Sequence, residues 1–323
     1  MELASYINHL REWKNRWFAK TEQPITTERC SISMSANEIH LVHIDKRLDT
    51  FEVLMTETLQ FEDLDTLALI LSGIVNKYQL QSIPLTWVLA PNDYQLFLIE
   101  SLPVSAEEFN EALSWRIRSL ITYPITDAIV DYFKLPAKKT SAGKDMVAAI
   151  TAPAAYVSKT SDIFKKAGLK PKKIDIPELA MRNLTALYET DEKATAFIYF
   201  FENTVILNIT SKKILYFTRN LPLPAQEAEN GGFEAFALDI LRYFDYFQSQ
   251  WRLPSPSRIY VASEKGNAEE LAKSLSAYLA TAEPFPLQHL TARRVKINEL
   301  GKQGLLALGA ALYEEPAHAA PRD

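Results

Sequence analysis

The stretch that decides the fold is Cys30–Leu59, CSISMSANEIHLVHIDKRLDTFEVLMTETL. An apolar run at Cys30–Met34, a polar turn at Ser35-Ala36-Asn37 and two further runs, Ile39–Ile44 and Phe51–Leu59, predict three consecutive β-strands. A phosphate-gripping hairpin needs an acidic residue and a glycine at its turn, and this chain reads Ser33-Met34-Ser35 there. That substitution separates two readings of one frame, an ATPase and a scaffold.

Downstream, Phe61–Tyr78 places Leu64, Leu67, Leu71, Ile74 and Val75 at helical period and leads into a strand at Leu85–Leu89, closed by Pro91-Asn92. The unit is three strands, a helix and a strand. It returns later as strands Ala196–Phe201, Val205–Thr210 and Lys213–Leu221, helix Phe233–Gln250 and strand Ile259–Ala262. Two such units predict a duplicated α/β fold with a cleft between the halves. Between them runs strand Tyr94–Glu100, helix Ala106–Ile121, strands Ile129–Leu135 and Met146–Thr151, helix Ala154–Ala167 and strand Lys172–Ile176, a βαββαβ order expected of an inserted subdomain. Helix Glu178–Tyr188 then returns the chain to the first half. Helices follow at Asn267–Leu279 and Leu305–Tyr313, with Pro284 and Pro286 as breakers between them.

The expected organisation is an N-terminal segment and linker (1–26), a first half (27–90 with 171–190), an insert (91–170), a second half (191–313) and a disordered tail (314–323). The N-terminal segment spaces Leu3, Tyr6, Ile7, Leu10, Trp13, Trp17 and Phe18 helically among basic residues. Such a helix lies on an anionic membrane surface or packs on its own protein.

The chain has 323 residues, 47% hydrophobic and 23% charged, which is ordinary globular material. A net charge of -5 argues against broad nucleic-acid binding, which needs a cationic footprint. The lone Cys30 excludes an internal disulfide and reads as a small buried strand residue. No run reaches the roughly 18 apolar residues of a membrane span, so the expectation is a cytoplasmic protein. Only nine glycines occur in 323 residues, few for a fold that wraps backbone around phosphates.

Chemistry-bearing clusters are sparse. His40 and His43 lie an odd number of residues apart in one strand and point to opposite faces; His9, His289 and His318 have no companions at ligand spacing, so no metal site is expected. No G-x-S-x-G elbow occurs, and Gly143-Lys144-Asp145 lacks the surroundings of a P-loop. Gly231-Gly232 precedes a helix, where it could admit a phosphate or simply loosen the helix entry. Asp175 and Glu178 flank Pro177 at a strand-to-helix junction; they could hold a Mg²⁺-bound water, or merely complement the helix start. Lys159, Lys165, Lys166, Lys170, Lys172 and Lys173 form the densest basic run, read as a solvated face or a contact for anionic lipid or an acidic partner. The aromatics Trp87, Tyr94, Trp115, Tyr123 and Tyr132 cluster in and around the insert and are candidates to line a peptide groove, with plain core as the alternative for each.

Several segments together resemble the PilM/MshI family of type IV pilus assembly proteins, most closely its MSHA-type branch. They are Leu113-Ser114-Trp115 through Tyr123-Pro124-Ile125-Thr126-Asp127 to Tyr132, Ile174-Asp175-Ile176-Pro177-Glu178-Leu179-Ala180, Phe244-Asp245-Tyr246-Phe247-Gln248-Ser249-Gln250 and Leu308-Gly309-Ala310-Ala311-Leu312. None is a catalytic signature; the resemblance rests on their order from Arg29 to Tyr313. It implies an actin-like (ribonuclease H-like) α/β fold, duplicated, with an inserted subdomain as in FtsA and PilM. Active relatives hold ATP between the halves with a G-[IL]-D-I-G hairpin in each. Here the first aligns as Ser31-Ile32-Ser33-Met34-Ser35, with Ser33 for the acid and Ser35 for the glycine; the second aligns near Tyr199-Phe200-Phe201, with Tyr199 for the acid. The adenine-side stretch reads Val261-Ala262-Ser263-Glu264-Lys265.

Losing the acids removes what orients Mg²⁺, and losing the glycines blocks backbone approach to phosphate. The resemblance thus implies a pseudo-ATPase without cofactor. It would be a cytoplasmic scaffold peripheral to the inner membrane that binds the cytoplasmic tail of a PilN/MshJ-like protein, with Trp87, Tyr94, Trp115, Tyr123 and Tyr132 as groove candidates. The alternatives are an ATP-binding pilus protein, with Asp175 and Glu178 handling Mg²⁺, and a GspL-like secretion platform component.

Overall fold

The computed structural model describes residues 27–35, 37–47, 50–138, 145–189, 193–202, 204–223, 233–264, 266–287 and 304–313. The expected N-terminal helix, most of its linker, the pair Gly231-Gly232, Gly143-Lys144, the tail, and His9, His289 and His318 lie outside these residues. The chain divides into two compact units, one comprising 1–134, 146–176 and 313–323, the other 135–145 and 177–312.

The first unit opens with β1 (Glu28–Met34), β2 (Glu38–Lys46) and β3 (Phe51–Gln60), an antiparallel meander. Helix α1 (Leu64–Tyr78) starts at Asp63, whose carboxylate accepts the Thr66 amide at 2.7 Å, and it buries Leu67, Leu71 and Val75 along one stripe. Strand β4 (Pro84–Val88) then pairs in parallel with β1. The insert follows, with β5 (Gln95–Glu100), α2 (Ala106–Ile117), β6 (Ala128–Lys134) and β7 (Met146–Pro153). Helix α3 (Ala154–Lys166) and β8 (Lys170–Asp175) complete the unit. Gly168 takes φ +89° in the turn between them, a conformation that glycine enters without strain.

The main sheet has the order β3-β2-β1-β4-β8 and the insert its own sheet, β5-β7-β6. The expected βαββαβ run is present in order, but β8 pairs with β4 and α3 packs on α1. The insert's separate sheet is therefore limited to Gln95–Pro153, narrower than 91–170. The physical reason is visible at Phe164 of α3, which is fully buried against Trp87 of β4 with ring centroids 5.5 Å apart.

The second unit repeats the plan with α4 (Pro177–Thr185), β9 (Thr195–Phe201), β10 (Thr204–Ser211), β11 (Ile214–Pro222), α5 (Glu234–Trp251), β12 (Arg258–Ser263), α6 (Ala268–Ser276), β13 (Ala282–Pro284) and α7 (Leu305–Ala311). Its sheet order, β11-β10-β9-β12-β13, matches that of the first sheet position for position. β9 is buried along its whole length, and Phe236, Ile240, Phe244, Phe247 and Trp251 of α5 pack with Ile198, Leu207 and Ile209. Helix α4, expected with the first half, belongs to this unit and packs on α7. β13 was not expected, because Pro284 reads as a breaker. As the last residue of a short edge strand it costs no ladder bond that the sheet needs.

Candidate functional site

The alternation of β1 sorts its residues onto two faces. Cys30, Ile32 and Met34 point into the apolar side, where burial pushes the Cys30 thiol up to about 12 and leaves it inert at neutral pH. Ser31, Ser33 and Ser35 point the other way. The registers place Ser33 opposite His40 in β2 and beside Val88 in β4, and Val88 beside Asp175 in β8. The first sheet thus carries a buried polar face of Ser31, Ser33, Ser35, His40 and Asp175.

Ser35, His40 and Asp175 have local partners. The Ser35 amide donates to Glu38 O at 2.9 Å and closes the hairpin turn. His40 Nδ1 lies 3.0 Å from Thr58 Oγ1, and its Nε2 4.0 Å from Glu38 Oε2. His43, on the opposite face, lies 2.8 Å from Glu28 Oε2. Lys173 donates to Asp175 Oδ2 at 2.8 Å, and the Ile176 amide to Oδ1 at 3.0 Å. The same ammonium sits 3.4 Å from the centre of the Tyr313 ring, while Arg29 donates to the Tyr313 carbonyl. Asp175 already has an internal cation where a Mg²⁺ role would need open carboxylate oxygens. Its expected companion Glu178 lies in α4 of the other unit, fully buried. Among the described residues no three His, Cys, Asp or Glu side chains form a group that could hold a metal.

His40 sets a pH dependence. Burial pushes its imidazole down from 6.5 to about 4, so as pH falls the unfolded chain takes up this proton first. Stability present above pH 6.5 is therefore lost progressively between 6.5 and about 4. Urea midpoints measured at about pH 7 and about pH 5 should differ less in His40→Gln than in the wild type. Equal differences would assign the acid sensitivity to other groups.

In the second unit Tyr199 stands in β9 opposite Ile206 and beside Ala262 of β12, fully buried. Burial, reinforced by the nearby Glu264 carboxylate, holds its phenol well above the usual range. Among the described residues the hydroxyl has no hydrogen-bond partner. A bulky neutral ring thus fills the position where the family resemblance implies an acid in active relatives. After β12, Ser263 Oγ accepts the Gly266 amide at 2.8 Å, and the Glu264 amide donates to Phe200 O.

The five aromatic candidates do not converge on a groove. Trp87 is core, between Tyr156 and Phe164 at 5.8 and 5.5 Å. Tyr94 is buried. Tyr132 packs on Phe109 at 4.4 Å, and the Tyr123 hydroxyl lies 3.0 Å from Thr151 Oγ1; both rings join the core beneath α2. Trp115 is 51% exposed. The reason is register: Phe97, Ile99, Ala128, Val130, Tyr132, Val147 and Ala149 occupy the sheet face covered by α2.

The other face of the insert sheet was missed. Alternation puts Leu96 and Leu98, Ile129 and Phe133, and Ala148 and Ile150 on it, and the pairings align them in rows. Leu98, Ala148 and Phe133 form one row; Leu96 and Ile150 meet in the next, which ends at Asp131. Except for Ala148, these apolar residues are only half-buried. The signal was present in sequence, since both phases of β5 and β7 are apolar, as in a strand buried on two faces.

The lysine run divides between the outer side of α3 and β8, which ends the sheet among the described residues and carries Lys170, Pro171, Lys172 and Lys173.

No family model and no curated protein matches the chain. Among solved structures, that of a PilM–PilN type IV pilus biogenesis complex is similar at TM-score 0.68 and 17% identity, covering 90% of this chain and 98% of that one. The cytoplasmic domain of EpsL, an inner-membrane component of the type II secretion system of Vibrio cholerae, is similar at 0.47 and 13%, covering 80% and 98%. A Bacteroides thetaiotaomicron protein with an actin-like ATPase fold and unknown function is similar at 0.49 and 11%, covering 82% and 96%. The fold is actin-like, with two sheets of one strand order and an insert in the first.

Proposed function

We propose that this protein is a non-enzymatic, cytoplasmic component of a type IV pilus assembly platform of the MSHA kind. It docks the cytoplasmic tail of a PilN- or MshJ-like inner-membrane protein on the second face of the insert sheet. The observation that carries this reading is the half-buried apolar surface of Leu96, Leu98, Ile129, Phe133 and Ile150, which suits an extended or helical segment with aliphatic anchors. The likeness to a PilM–PilN complex supports it. Among the described residues no helix is long and apolar enough to cross a membrane.

The nucleotide positions support a pseudo-ATPase. Ser33 offers a neutral hydroxyl, Ser35 is bonded into the turn, Tyr199 fills its site with a ring, and Asp175 is neutralised by Lys173. The second reading, an ATP-binding pilus protein, is favoured only by the retained polar face around His40 and Asp175.

Calorimetric titration of the full chain with the partner's tail peptide and, separately, with Mg-ATP decides between them. The expected result is micromolar peptide affinity and no nucleotide binding tighter than about 100 μM. No heat with peptide overturns the docking role, and tight Mg-ATP binding overturns the pseudo-ATPase.

A further inference from the structure

The C-terminal end of α2 carries a surface that tail docking does not use. Trp115 is 51% and Leu120 50% exposed, and Arg116, Arg118 and Ser119 between them are exposed too. The Arg118 guanidinium lies 5.5 Å from the Trp115 ring, and among the described residues neither Arg116 nor Arg118 forms an ion pair. The helix is segregated along its axis. Glu107, Glu108 and the half-buried Glu111 lie in its first half, and the two arginines in its last turn and just beyond. The turn is fixed from within, since the Leu120 and Ile121 amides both donate to Ile117 O, and Leu113 and Ile117 anchor the helix in the insert core. The exposed indole and leucine are thus held outward by a folded frame.

We infer that Trp115, Leu120, Arg116 and Arg118 form a membrane-surface contact for anionic phospholipid. An indole seats at the headgroup level, a leucine reaches the acyl boundary, and guanidiniums pair with lipid phosphate. The combination of an apolar pair with two arginines that form no ion pair among the described residues is what a negatively charged interface selects. The chain's net charge of -5 weakens non-specific adsorption to an anionic surface, so contact there depends on local basic patches such as this one. The patch lies on α2, which covers the sheet face opposite the tail-docking rows. Choosing lipid over an acidic protein rests on the proposed place at the inner membrane.

The test uses the full chain with Trp13→Phe and Trp17→Phe, which leaves Trp115 as the accessible indole, because Trp87 and Trp251 are 0% and 3% exposed. Vesicles of equimolar phosphatidylglycerol and phosphatidylcholine with brominated acyl chains should quench and blue-shift its emission, and vesicles of phosphatidylcholine alone should do so weakly. Arg116→Glu with Arg118→Glu, and separately Trp115→Ala with Leu120→Ala in the wild-type background, should lower vesicle partitioning about tenfold or more while leaving tail-peptide affinity unchanged. Absence of Trp115 quenching overturns the inference even if residues 1–20 hold the protein on the vesicles. Loss of tail-peptide affinity in these variants, with partitioning intact, overturns it in favour of a protein interface. Tail docking fails separately, in the peptide titration of the wild type.

Discussion

Gly309→Ala is expected to lower the melting temperature of the full chain by roughly 5–10 °C. The added Cβ would collide with the Ala180 carbonyl oxygen, lie 2.8 Å from its carbon and press on Leu184 Cγ at 3.0 Å. The first two atoms are backbone of α4 and cannot rotate away. Asn183 Nδ2 donates to Gly309 O at 2.8 Å from the same helix, so moving α7 outward also breaks a buried hydrogen bond. Overpacking with partial loss of that bond costs about 2–4 kcal/mol, and in a domain of this size each kcal/mol shifts the midpoint by about 2–4 °C. Gly73 is the internal control. It stands in α1 with nothing within 4 Å of an added Cβ, and Gly73→Ala should raise stability by about 0.5–1 kcal/mol. Thermal unfolding of both variants checks the pair; a Gly309→Ala midpoint equal to the wild type would show that α4 and α7 can separate freely.

The second large effect concerns the tail-docking face. Leu98→Asp combined with Phe133→Asp should weaken the partner's tail peptide by about 100-fold or more, the loss expected when central apolar anchors of an interface are replaced by charge. Both residues lie on the outer strands of the insert sheet and flank Ala148, which is fully buried and too small to hold a ligand alone. Neither belongs to the core under α2, so the insert should stay folded. Circular dichroism melts establish that, and Leu98→Ala with Phe133→Ala gives a milder version of the same loss. Unchanged peptide affinity in a folded double variant would remove this face from the docking role.

Most secondary structure was legible because local periodicity and burial agree. In α1 the stripe Leu67, Leu71, Val75 coincides with the buried side, and in β1 the alternation separates Cys30 and Ile32 from Ser31 and Ser33. β13 was not legible, because a three-residue edge strand has too little period to read and its Pro284 signals a break. The insert's limits were not legible either. The order β5 to β8 is a matter of sequence, while the pairing of β8 with β4 is a contact between strands more than eighty residues apart.

The candidate site divides in the same way. Residue type and order alone gave the duplicated frame and the serines at 33 and 35, while the family resemblance implies that Tyr199 stands where relatives carry an acid. Only tertiary structure could decide that Lys173 neutralises Asp175, that Trp87, Tyr123 and Tyr132 are core, that Trp115 faces solvent, and that Leu98 and Phe133 share a row. Periodicity sorts a strand's residues onto two faces. Which face is covered, and by what, depends on non-local packing that no window of sequence contains.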